Sequence, residues 1–286
     1  MGTGLRYVAL VGAVALVLAC GGCIYDGLVV EDGSGFSRGP SRAGMLYDGT
    51  ELSVRGEGHW IPPTWASRGL NFGVDEMVST VVYAGRSLKL QDSRLELGVG
   101  DISRAHGGRS PWHRSHQTGR DVDFLFLLKD KAGNPVRNDR MRKHLPNGAE
   151  VVVKGKKAQV FFDARANWLL VEALITNPVA EIQYIFVQAD LRQLMLDYAE
   201  RSGVSQAMRE RAAQTMKQPG DSAPHDDHMH VRIFCPRDDL DAGCVDFGQM
   251  RWHKKDLKYG GRVERLQRYD DVVTDIDIGT FAWLLR

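Results

Sequence analysis

Apolar positions divide this chain into elements. Val74, Met77, Val78, Val81, Val82 and Leu88 recur at the spacing of one helical face. Asp75 and Glu76 open that run, where negative charge suits the positive end of a helix dipole. Leu95, Leu97 and Val99 alternate, the pattern of a half-buried strand. The stretch 121–128 alternates too: Val122, Phe124, Phe126 and Leu128 share one face, Asp121 and Asp123 the other. Segments 150–154 and 159–162 predict two strands joined as a hairpin across Gly155-Lys156-Lys157. Residues 167–176 predict a helix stopped before Pro178, and 182–187 a buried strand. Two helices follow over 191–202 and 205–217, parted near Gly203, and then a strand over 228–234. Helices interleaved with antiparallel-type strands predict an α+β domain.

The two ends read differently. Arg6 is followed by an uncharged apolar run over 7–19, too short for a comfortable membrane span and suited to the core of a secretory signal. It closes on Leu18-Ala19-Cys20, a small residue before Cys, as at a lipoprotein processing site. Residues 1–19 are therefore expected to be a signal peptide, with Cys20 as the lipidated N-terminus; Cys23 is a poorer second candidate. With Cys20 lipidated, Gly21 in place of Asp would point, by analogy with lipoproteins of enteric bacteria, to anchoring in the outer membrane, facing the periplasm. Residues 20–45, rich in Gly, Ser and Asp, predict a flexible tether to a globular domain over 46–250. Residues 251–286 form a basic extension ending in apolar Phe281-Ala282-Trp283-Leu284-Leu285.

Composition adds bounds. Hydrophobic residues make up 43% and charged residues 26%, ordinary values that permit a packed core. A formal net charge of +1 gives no electrostatic case for a nucleic-acid partner. Past the N-terminal pair only Cys235 and Cys244 remain, and an oxidising compartment predicts that they form a disulfide.

Six of the nine His lie in two short segments. In the first, His116 precedes a turn that Gly119 allows, since Gly tolerates positive φ. Asp123 follows on the polar face of the next strand, so the chain doubles back and brings imidazole toward carboxylate. His116 and Asp123 are thus candidate metal ligands, with Asp121 a competitor for the carboxylate role. In the second segment, His228 and His230 project from one side of a strand and Met229 from the other. A catalytic zinc site takes three N, O or S ligands and keeps one position open. His116, Asp123 and His230 would supply the three, leaving His228 as general base. Each half alone is unspecific, and their joint occurrence in one exported chain carries the argument. Asp226 or Asp227 could orient a histidine; the plainer role, a solvated turn carboxylate, is expected for at least one of them. His106, beside Gly107-Gly108, is expected to be a loop residue. No Ser-x-x-Lys arrangement supports a serine nucleophile.

The sequence resembles the penicillin-insensitive murein endopeptidases, part of the wider lysostaphin, D-Ala-D-Ala peptidase and hedgehog-like zinc fold. The resemblance spans about 44–249 and is carried by Gly98-Val99-Gly100-Asp101-Ile102-Ser103, by His113-Arg114-Ser115-His116-Gln117-Thr118-Gly119-Arg120-Asp121-Val122-Asp123, by Asn167-Trp168, and by Pro224-His225-Asp226-Asp227-His228-Met229-His230-Val231-Arg232. It implies a small antiparallel sheet bearing the zinc site, flanked by helices. It implies His116, Asp123 and His230 as zinc ligands, His228 as catalytic base, and His225 and His113 as further histidines of the cleft. A protonated His225 would then stabilise the attacked carbonyl oxygen, and His113 would bind substrate. The implied substrate is the D-alanyl to diaminopimelyl cross-link of peptidoglycan. The alternatives are a D,D-carboxypeptidase or other stem-peptide hydrolase on the same site, and a non-catalytic murein-binding lipoprotein.

Overall fold

The computed structural model describes residues 34–220 and 223–255. The expected signal peptide, the lipidation site Cys20 and most of the basic extension lie outside the described residues. Among the described residues no helix is long and apolar enough to cross a membrane.

A four-stranded sheet organises the chain. Its strands are β1 (Asp121–Leu125), β2 (Ile182–Phe186), β3 (Met216–Lys217) and β4 (His228–Ile233), in spatial order β3-β2-β4-β1. β4 pairs antiparallel with both neighbours, whereas β3 runs parallel to β2. The expected antiparallel sheet is therefore mixed at one edge. The cause is local: the helix Gln206–Thr215 returns the chain alongside β2 in the same sense before β4 reverses it.

Four helices pack on one another and, through two of them, on this sheet. These are α1 (Asp75–Gln91), α2 (Ala164–Ile175), α3 (Ala189–Arg201) and α4 (Gln206–Thr215). α1 buries Met77, Val78, Val81, Ala84 and Leu88, the face its periodicity predicts. α2 starts where the Asp163 carboxylate accepts from the backbone N–H of Arg165 and Ala166, a cap that contributes about 1 kcal/mol. Its Asn167 side chain donates to the Leu127 and Asp163 carbonyls and accepts from Leu127 N–H, pinning the helix to the bend that follows β1. Gly203 at φ 76° separates α3 from α4, and Ser205 caps the latter.

Three expectations are corrected. Residues 95–99 do not form a half-buried strand. Leu97–Gly98 pairs in parallel with His59–Trp60, Val99 bridges Phe124, and Leu95, Leu97 and Val99 are all buried together with Gly98. The hairpin over 150–162 does not form either. Val160–Phe162 pairs instead with Leu128–Asp130, and the earlier segment touches it only through the bridge Ala149↔Phe161. Packing decides this outcome: Phe162 turns inward against Phe126, 5.0 Å between ring centres, while Val151 and Val153 stay exposed.

The third correction concerns the tether, because the fold begins before residue 46. Phe36–Arg38 pairs antiparallel with Met45–Tyr47. Buried Ser37 donates from its backbone N and its Oγ to Asp239, at 2.8 and 2.9 Å. The expected disulfide is present between Cys235 and Cys244, with an S–S distance of 2.04 Å. It closes a short loop beside this N-terminal strand, where Gly39 N donates to the Gly243 carbonyl.

Candidate metal centre and cleft

Adjacent strands β1 and β4 lay out the site. Their register sets His230 opposite Asp123 and Arg232 opposite Asp121. His228, His230 and Arg232 therefore project from the same face of the sheet as Asp121 and Asp123. The opposite face carries Val122, Phe124, Met229 and Val231, all fully buried in the core. One strand pair thus holds charged chemistry on one side and its apolar support on the other.

The loop ahead of β1 contributes His116. Both His116 and Gly119 adopt left-handed backbone conformations, at φ 63° and 70°, which fold the loop back over β1. The Nδ1–H of His116 donates to the Ile102 carbonyl at 2.7 Å, so Nε2 carries the free lone pair. On β4, the Nε2–H of His230 donates to Asp121 at 2.8 Å, so Nδ1 carries its lone pair.

Those two nitrogens meet the Asp123 carboxylate. His116 Nε2 lies 3.3 Å and His230 Nδ1 3.1 Å from Asp123 Oδ1, and the nitrogens are 3.1 Å from each other. All three residues are buried, and neither oxygen of Asp123 meets a well-aligned donor. Converging acceptors with no donor between them mark a place for positive charge. A tetrahedral ion with bonds of about 2.05 Å sets its ligands about 3.3 Å apart, which this triangle matches. A second grouping, His113, His116 and Asp123, also places metal-binding atoms within 4.8 Å of one another. The two groupings share His116 and Asp123 and differ in the third member. His113 Nε2 is already paired with Asp101 at 2.7 Å.

His228 stands beside the triangle. Its Nδ1–H donates to Asp227 at 2.6 Å, leaving Nε2 to face Asp123 Oδ1 at 3.5 Å. Asp227 thus orients a histidine. Asp226 instead pairs with Lys143 at 3.8 Å, the plainer role expected for one of the two.

The electrostatics follow from these contacts. Burial alone would raise the carboxyls of Asp121 and Asp123, but Arg232 and His230 around the first, and His116 and His228 around the second, hold both well below the ordinary carboxylate range. Burial would lower His228 and His230, but Asp123 with Asp227, and Asp121 with Asp123, hold them above the usual histidine value. The expected protonated His225 is corrected. Burial first, then His228 and His230, depress it to about 4, so it is neutral near pH 7. Its Nδ1–H donates to the Ala223 carbonyl at 2.8 Å, which leaves Nε2 an acceptor.

Several functional contacts escaped the sequence reading. Asp121, expected as a competing ligand, positions His230 and accepts from Arg232 Nε at 2.6 Å. Asp101 accepts from both Arg68 and His113, each at 2.7 Å, and so fixes His113. Buried Arg120 clamps the Ile233 and Val245 carbonyls and Asp246, holding the disulfide loop against the sheet. Asp101, Arg120 and Arg232 all lie in the stretches that carry the resemblance, which was the only signal available. His106 is an exposed loop residue, as expected.

A cleft of about 1040 Å³ opens over the site, floored by His228 and His230 and walled by His113, His225, Phe186 and Phe247. The chain matches the penicillin-insensitive murein endopeptidase family model over residues 37–253. A relative named penicillin-insensitive murein endopeptidase, from Escherichia coli O17:K52:H18 (strain UMN026 / ExPEC), is 28% identical over 218 residues, covering 73% of this chain and 70% of the relative. Another of that name, from Shigella boydii serotype 18 (strain CDC 3083-94 / BS512), shows the same identity and coverage. With the match reaching from the first paired strand to the end of the described residues, the chain belongs to the penicillin-insensitive murein endopeptidase family.

Proposed function

We propose that this chain is a zinc-dependent hydrolase of peptide cross-links in peptidoglycan, cutting between D-alanine and meso-diaminopimelate. The observation that carries the reading is the triangle of His116 Nε2, Asp123 Oδ1 and His230 Nδ1, with mutual distances of 3.1 to 3.3 Å. We assign these three as the zinc ligands over the grouping with His113, whose ligand atoms lie within 4.8 Å of one another, because the triangle is tighter. Zinc is favoured over calcium or magnesium because two imidazoles and one carboxylate are too nitrogen-rich for those ions.

When bound, the ion would acidify water toward a pKa of ~7 and polarise the attacked carbonyl. The rest falls to the protein. His228 Nε2 accepts the proton of the attacking water and returns it to the leaving amine. Asp227 fixes the required tautomer from the other ring nitrogen and balances the imidazolium while it exists. His113, anchored by Asp101, binds substrate at the rim of the cleft. Neutral His225 packs on the His228 ring, 4.9 Å between centres, and limits its motion. No step forms an acyl-enzyme, so penicillin has no serine to trap.

The fold we propose is that of the hedgehog and D-Ala-D-Ala peptidase-like zinc enzymes. A signal peptide over 1–19 and a lipid on Cys20 would hold the domain in the periplasm, within reach of its polymer. Digestion of purified sacculi by the zinc-loaded chain tests the reading. Cross-linked dimers converted to monomers, read by mass, support it. Pentapeptide stems shortened by one residue would point to a D,D-carboxypeptidase, and no product with zinc bound would point to a murein-binding protein.

A further inference from the structure

The cleft over the zinc site is one-sided in charge. Among its described lining residues are three arginines, Arg42, Arg114 and Arg232, and no Asp or Glu. Arg232 is the one built into the site. It lies two residues beyond His230 on the same face of β4, about 7 Å along the strand. Its Nε is committed to Asp121 at 2.6 Å. Its guanidinium carbon lies 6.0 Å from the centre of the Phe186 ring, which walls the cleft. No protein group among the described residues bonds its Nη1 or Nη2. A guanidinium held at one nitrogen, steered by an aromatic ring and free at the other two presents a forked donor pair to the cleft. That fork matches a carboxylate in shape and charge.

We propose that Arg232 is a specificity-determining residue that binds a free carboxylate on the substrate residue supplying the leaving amine. The inference rests on the function proposed above and narrows its substrate class to peptides carrying that carboxylate next to the cut bond. In a D-alanyl to diaminopimelyl link, the carbon bearing the acylated amine also bears a carboxyl group. A terminal D-alanine carries its carboxylate at the same place, so both sources present the same chemistry. Converting the carboxylate to an amide removes the charge and one acceptor face, and leaves the scissile bond unchanged.

The test uses the full-length zinc-loaded chain and two pairs of peptides. One pair is a cross-linked dimer and the other a pentapeptide, each with either a free or an amidated carboxyl on the amine-side residue. The expected preference of the unmodified chain for the acid is about tenfold to a hundredfold in kcat/KM, the worth of a charge-assisted hydrogen bond. The pair that shows it identifies the source of the carboxylate. Arg232→Ala should bring the acid-to-amide ratio to about one. Because Arg232→Ala also frees Asp121, the ratio within one variant is read, so damage common to both peptides cancels. Arg232→Lys should keep part of the preference, and Arg114→Ala all of it.

Equal cleavage of acid and amide by the unmodified chain would overturn the proposal and leave the hydrolase standing. So would a preference that survives Arg232→Ala and vanishes in Arg114→Ala. If the chain cuts neither peptide, the hydrolase reading fails, and binding of the same pairs by calorimetry decides the role of Arg232 separately. Tighter binding of the acid that is lost in Arg232→Ala supports it, and equal binding overturns it.

Discussion

Asp121 accepts a hydrogen bond from His230 at 2.8 Å, and in doing so decides which nitrogen of His230 faces Asp123. The carboxylate works through the imidazole. With Nε2–H spent on Asp121, Nδ1 has only its lone pair to offer. Arg232 holds Asp121 in turn, so the order of contacts runs from guanidinium to carboxylate to imidazole.

Asp121→Asn is therefore expected to weaken zinc binding about tenfold to a hundredfold without removing a ligand. Competition against a chelator of known affinity measures this. Unchanged affinity would show that His230 needs no orienting partner.

His228→Ala and His230→Ala should part company. His230→Ala should lose zinc, because the triangle loses a corner. His228→Ala should keep its zinc and lose about 10²- to 10⁴-fold in kcat, the worth of a positioned base. Metal analysis beside sacculus digestion separates them, and zinc loss in His228→Ala alone would exchange the two roles.

Acid should unfold the metal-free chain partly through Asp121. Its carboxyl is depressed below the ordinary 3.8, since Arg232 and His230 outweigh burial. A depressed carboxyl contributes stability that is complete above the unfolded value and drains away as pH falls toward the folded one. Urea midpoints for the unmodified chain should fall steeply below about pH 4. Asp121→Asn should be less stable at neutral pH and lose less on acidification; parallel curves for the two proteins would contradict this.

The disulfide should matter for the cleft as well as for stability. Cys235 N donates to Asp246, which also holds Arg120, and Phe247 and Gly248 of the cleft wall follow directly. Cys235→Ser combined with Cys244→Ser should cost about 2–3 kcal/mol in unfolding free energy. It should also raise KM more than it lowers kcat, because a wall loosens while β1 and β4 stay paired. A lower kcat at unchanged KM would argue against that division.

How far the sequence could be read depended on how local the determinant was. Helix α1 was legible because Met77, Val78, Val81 and Leu88 needed only one apolar surface to bury against. Strands β1 and β4 were legible from their alternation, and with them the shared face of His228, His230, Asp121 and Asp123. The partner of Val160–Phe162 was not legible, because Phe162 chose Phe126 over its sequence neighbours. Alternation alone could not divide the work between Asp121 and Asp123, since both lie on one face of β1; the resemblance favoured Asp123, and the register of β4 sets Asp123 opposite His230 and Asp121 opposite Arg232. Ser37 looked like tether because its partner, Asp239, lies 202 residues away.

His116 sits at φ 63°, a conformation that Gly or Asn adopts with less strain than other residues. Shape and chemistry are separable at that position. A descendant of this gene with Asn or Gly there would keep the loop, the sheet and the arginine-lined cleft while losing one corner of the ion's cage. On the function proposed above, such a protein would keep the cleft and lose the cutting, so one substitution would part binding from hydrolysis.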